Sequence, residues 1–129
     1  DYNAGDFDRA AQGFSGAHDL FLAIDNRLRA AEMSNNLCVC LLELDRASEA
    51  LAVVQDTPTT FHNEDNPLLK AQALGNRAMA RAALGQAAEA EADYRAAADV
   101  FRELGHDEQP AAGGDDVQVH LAGRVREDP

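Results

Sequence analysis

Apolar residues along this chain recur at helical spacing. Between Gln86 and Leu104, the residues Ala90, Tyr94, Ala97 and Phe101 fall at i, i+4, i+7 and i+11, one face of a helix. The opening segment carries the same kind of stripe as Phe7, Ala10, Phe14, Ala17 and Phe21. Between them, the spacing predicts helices from Arg27 to Leu44 and from Pro67 to Leu84. Asn26 and Asn66 precede these two as N-caps, because an Asn side-chain oxygen accepts the free amides of a first turn. Pro67 takes the first helical position, where its missing N–H does no harm, and Gly85 closes the helix. In the segment between, Pro58 pushes Thr57 away from helical backbone, so that helix is expected to stop or kink near Asp56.

The stripes belong to a register of 40 residues. Ala10, Ala50 and Ala90 coincide, as do Phe21, Phe61 and Phe101. Phe14, Val54 and Tyr94 form a bulky set; Gly5, Asp45 and Gly85 form a turn set; Asn36 coincides with Asn76. The chain divides into a partial unit over 1–25, units over 26–65 and 66–105, a polar Gly/Pro linker over 106–116, and a degraded capping helix or tail over 117–129. Each full unit reads as an antiparallel helical hairpin. Small residues are needed where paired helices approach to about 8–10 Å. Ala50 and Ala90 supply them on the second helices, Cys38 and Ala78 on the first.

The sets Asn36-Leu37-Cys38, Asp45, Ala47, Ala50, Val54 and Asn76-Arg77-Ala78, Gly85, Ala87, Ala90, Tyr94, Ala97 resemble the tetratricopeptide repeat in its longer, roughly 40-residue form. The resemblance covers residues 4–104. It implies an all-α, right-handed superhelix of antiparallel hairpins, about two and a half repeats long, with a concave groove that binds peptides or proteins. Departures are the missing first helix of the first unit, and Arg77 and Arg81 where the family usually has Leu and Tyr.

Composition agrees with helices: 26 Ala, five Phe and no Trp. A net charge of −12 argues against nucleic acid and anionic membrane as partners. No apolar run approaches the length of a membrane span. The chain starts at Asp1 with no initiator Met and no signal-peptide pattern, and reads as trimmed at that end; a cytoplasmic location is the expectation. The two cysteines, Cys38 and Cys40, point about 200° apart on a helix and cannot share one metal, so they read as buried reduced thiols. His18, His62, His106 and His120 have no ligand spacing. No cofactor, metal or catalytic constellation is expected, and an enzyme is the least favoured reading.

The expected function is a non-enzymatic interaction module with a protein or peptide partner. The candidate groove is Glu32, Asn36, Val39 and Glu43 on one helix and Gln72, Asn76 and Met79 on its copy. Asn36 and Asn76 can each donate to and accept from a peptide backbone. Arg77 and Arg81 lie four apart on one helix face. They form either an anion hook or pairs with Glu89, Glu91 or Asp93, and the excess of acid favours pairing. Alternatives are a self-assembly segment or the regulatory sensor part of a larger signalling or transcriptional protein. The face of Phe7, Phe14 and Phe21 lacks a preceding helix, so a homodimer contact is expected at the N-terminal end.

Overall fold

The computed structural model describes residues 3–105, which form helices joined by short turns. The order is α1 (Ala4–Ala23), α2 (Arg27–Glu43), α3 (Ala47–Val54), α4 (Thr57–Asn63), α5 (Pro67–Ala83) and α6 (Ala87–Glu103). The linker and capping segment expected after residue 105 lie outside the described residues, and with them Val117, Leu121 and the fold-back they would make.

One turn is used four times. Each helical stretch ends on a left-handed residue: Asp25, Asp45, Asp65 and Gly85, with φ between 57° and 81°. Around each, two hydrogen bonds cap the last carbonyls. At the first, Asn26 N–H donates to Phe21 (2.8 Å) and Asp25 N–H to Leu22 (2.9 Å). At the fourth, Gln86 N–H donates to Arg81 (2.8 Å) and Gly85 N–H to Ala82 (3.0 Å). Gly105, at φ 85°, begins the same turn again. Gly5 does not belong to this set: it lies in the first turn of α1, behind a capping box formed by Asn3 and Asp6. Asn26 and Asn66 do cap, accepting from the amides of Arg29 and Leu69.

The interruption at Pro58 splits one helix of the register into α3 and α4, with Gln55 and Asp56 between them. Proline supplies no N–H to the carbonyl four residues earlier. That carbonyl belongs to Val54, and it accepts instead from the Thr57 hydroxyl at 3.2 Å, with Asn35 Oδ1 3.4 Å from the same hydroxyl. The chain resumes when Thr60 N–H reaches the Asp56 carbonyl.

Packing follows the small and large positions. Cys38, Leu41, Ala50, Val54 and Ala80 form one cluster joining α2, α3 and α5. Phe61 is fully buried between Ala31 of α2 and Ala73 of α5, and Phe101 packs on Ala71. Thus α2 and α5 lie side by side, with α3–α4 across both and α6 against α5. The helix α1 packs on α2, the place a second helix of a preceding unit would take.

Glycine usage gives a direct test. A Cβ at Gly85 would meet nothing, so Gly85→Ala isolates the left-handed backbone and is expected to cost about 1–2 kcal/mol in urea denaturation. Gly16→Ala, in the interior of α1 and equally open, is expected to add about 0.5–1 kcal/mol. Equal effects of the two substitutions would contradict the turn assignment.

Candidate functional site

The expected groove residues divide into two environments. On α2, Asn36 is exposed, and Glu32, Val39 and Glu43 are half-buried around it. Glu32 accepts from Arg29 Nη1 at 3.0 Å. On α5, Gln72 and Met79 are half-buried, but Asn76 is only 2% exposed and its Oδ1 has no partner. The register therefore does not make two equivalent Asn rungs. Asn76 lies where α5 meets α2: the Cys38 thiol donates to its carbonyl at 3.9 Å, and the neighbouring Gly75 is buried. The corresponding flank of α2 has no preceding helix among the described residues, which leaves Asn36 open. The strip that remains accessible is Glu32, Asn36, Val39 and Glu43, with Gln72 and Met79 beside it.

Arg77 and Arg81 take the paired arrangement. Asp93 of α6 is 5% exposed, and its carboxylate receives three N–H groups. Arg77 Nε and Nη2 donate to its two oxygens at 2.9 Å each, and Arg81 Nη1 donates at 2.9 Å. Arg77 Nη1 also donates to the Gln55 carbonyl at 2.9 Å, one of the groups freed by the break before Pro58. One guanidinium thus joins α5 to α6 and to the end of α3. Arg81 Nε has no partner. With these donors committed to Asp93, the pair does not form an open hook for an anion.

The two thiols are free and buried. Burial, and secondarily the neighbouring Cys40, push the Cys38 thiol up to about 12, and burial with nearby Glu43 raises Cys40. Both are held as neutral thiols, the opposite of an activated nucleophile. Among the described residues, no three His, Cys, Asp or Glu side chains converge as a metal site, and no helix is long and apolar enough to cross a membrane.

The register also conceals a trough between α1 and α3–α4, floored by α2. Its first part, about 630 Å³, is lined by Ala11, Leu37, Leu41 and Val53, with Asp8 and Glu49 at the rim. Its second part, about 510 Å³, shares Ala52 and Val53 and runs over Ala30, Ala31 and Ser34. The sequence signal for it is a mismatch: Leu37, Leu41 and Val53 stand at the positions of Arg77, Arg81 and Asp93.

Neither a protein-family model, nor a curated protein, nor a solved structure matches this chain.

The buried ion cluster predicts an asymmetric mutational response. Asp93→Ala leaves two largely buried guanidinium groups without their counter-charge and is expected to destabilise by about 3–5 kcal/mol in denaturant unfolding. A change below about 1 kcal/mol would mean that the cluster is solvated like an ordinary surface pair.

Proposed function

We propose that this chain is a non-enzymatic protein-interaction module of tetratricopeptide-like hairpins that takes a peptide or partner helix on the accessible strip of α2 and α5. The observation that carries the reading is the exposure of Asn36 within a half-buried strip that mixes acid, amide and apolar side chains. Such a strip offers an amide to a peptide backbone, apolar surface from Val39 and Met79 to its side chains, and carboxylates from Glu32 and Glu43 to a basic residue. The ligand is extended or helical and not strongly acidic.

Peptides selected on the folded chain provide the test. Asn36→Ala is expected to weaken them by about twofold to tenfold in calorimetry, the worth of one hydrogen bond, with the melting temperature unchanged. Unchanged affinity would move the site away from the strip around Asn36. Asn76 is not an equivalent probe, because it is buried.

A second reading, self-assembly through the N-terminal end, is favoured by α1. Phe14 and Phe21 are half-buried, whereas Leu20 and Ile24, one turn apart, are 70% and 69% exposed. Two-fold pairing of α1 would cover them. Under this reading, light scattering gives a dimer that Leu20→Glu with Ile24→Glu converts to a monomer. A wild-type monomer at high micromolar concentration would end it.

A further inference from the structure

The two gaps between successive outer helices are related by the 40-residue register, yet they are filled differently. In the second gap, between α3 and α6, Arg77 spans from Asp93 on one wall to the Gln55 carbonyl on the other, and Arg81 lies beside it. Each of these positions has a counterpart in the first gap, between α1 and α3. Leu37 stands for Arg77, Leu41 for Arg81, Val53 for Asp93 and Ser15 for Gln55. These four line the cavity of about 630 Å³. Where one gap holds two guanidinium groups and a carboxylate, the other is left open with an apolar floor.

The rim of the open gap is acidic. Around the two joined cavities stand Asp8, Asp25, Glu49 and Asp56, against Arg27 and Arg46. Both arginines are already engaged, Arg46 with Glu49 (2.5 and 3.1 Å) and Arg27 with Asp25 (3.7 Å). Asp8 accepts from the neutral Gln12 amide and shares the field of Arg46, which is already bonded to Glu49, and Asp56 is in no ion pair among the described residues. An apolar floor under a rim of four carboxylates and two arginines selects a ligand with apolar side chains flanked by cations.

We propose that the trough between α1 and α3–α4 is a docking site for a cationic amphipathic segment of a partner protein. Its aliphatic side chains sit on Leu37, Leu41 and Val53, and lysine or arginine residues reach Asp8 and Asp56. A second copy of this chain is a poor occupant, since a body of net charge −12 adds like charge to an acidic rim. Leu37 and Leu41 lie on the opposite side of α2 from Asn36, Val39 and Glu43. The site is therefore separate from the strip of the proposed function and does not rest on it.

Ala52 is exposed and lines both cavities, so Ala52→Phe fills the trough from a surface position. The probe is a short labelled amphipathic helix of leucine and lysine, with an all-lysine peptide and a leucine–glutamate peptide as comparisons. Fluorescence anisotropy on the full chain is expected to show binding of the leucine–lysine peptide alone. Methyl shifts are expected at Leu37, Leu41 and Val53, with about a tenfold or greater loss of affinity for Ala52→Phe and no loss for Asn36→Ala. Should Ala52→Phe fold poorly, Leu37→Arg with Val53→Asp copies the ion pair of the second gap into the first and is expected to close the trough equally. The proposal is overturned by undiminished binding to the filled variants. It is equally overturned by an all-lysine peptide that binds as well, or by self-association of the wild type that Ala52→Phe abolishes.

Discussion

Asp93 is the point at which α5 and α6 are joined by directional bonds. Its carboxylate is buried among helices and receives three N–H groups from Arg77 and Arg81. Desolvating such a charge is costly unless it is paired in good geometry. Here the pairing also solves a second problem. The break at Pro58 frees carbonyls at the end of α3; the Thr57 hydroxyl takes Val54, and Arg77 takes Gln55. The same guanidinium that pairs with Asp93 of α6 therefore caps α3, and the last hairpin is fixed to the one before it by directional contacts as well as by Phe61.

That arrangement gives the two gaps of the array their different characters. The gap between α3 and α6 is bridged by Arg77. The gap between α1 and α3 has Leu37, Leu41 and Val53 at the equivalent positions, which make no such bridge, and it is open as a trough. The opposite side of α2 carries the polar strip around Asn36. One helix thus separates two accessible surfaces of different chemistry, one mixed and one apolar with an acidic rim.

Much of the fold was legible because it rests on local chemistry. N-caps at Asn26 and Asn66, the stop at Gly85 and the break before Pro58 are decided within a turn of each residue. The small residues Cys38, Ala50, Ala78 and Ala90 are buried as the hairpin spacing requires. Asp25, Asp45 and Asp65 show how a turn can hide: Asp tolerates left-handed backbone without announcing it as glycine does. Gly5 shows the converse, a glycine inside a helix start. The site was less legible because equivalence in sequence is not equivalence in neighbours. Asn36 and Asn76 share a register position, but only Asn76 meets an adjacent helix on that flank. Arg77 and Arg81 could be matched to an acidic partner by charge, yet the Gln55 carbonyl is a contact that exists only because α3 breaks. The trough is a property of a missing cluster, visible once the second gap is compared with the first.

The account depends on Arg77 and Asp93 acting as one unit that ties α6 to the body of the array. A double-mutant cycle with Arg77→Met and Asp93→Leu measures that directly. Each single variant should be strongly destabilised, and the double variant should lose less than the sum of the two by a coupling energy of about 2–3 kcal/mol, the remaining loss including Arg81 left without its carboxylate. Additive single effects, within about 0.5 kcal/mol, would contradict the account and leave the apolar clusters to hold the hairpins alone.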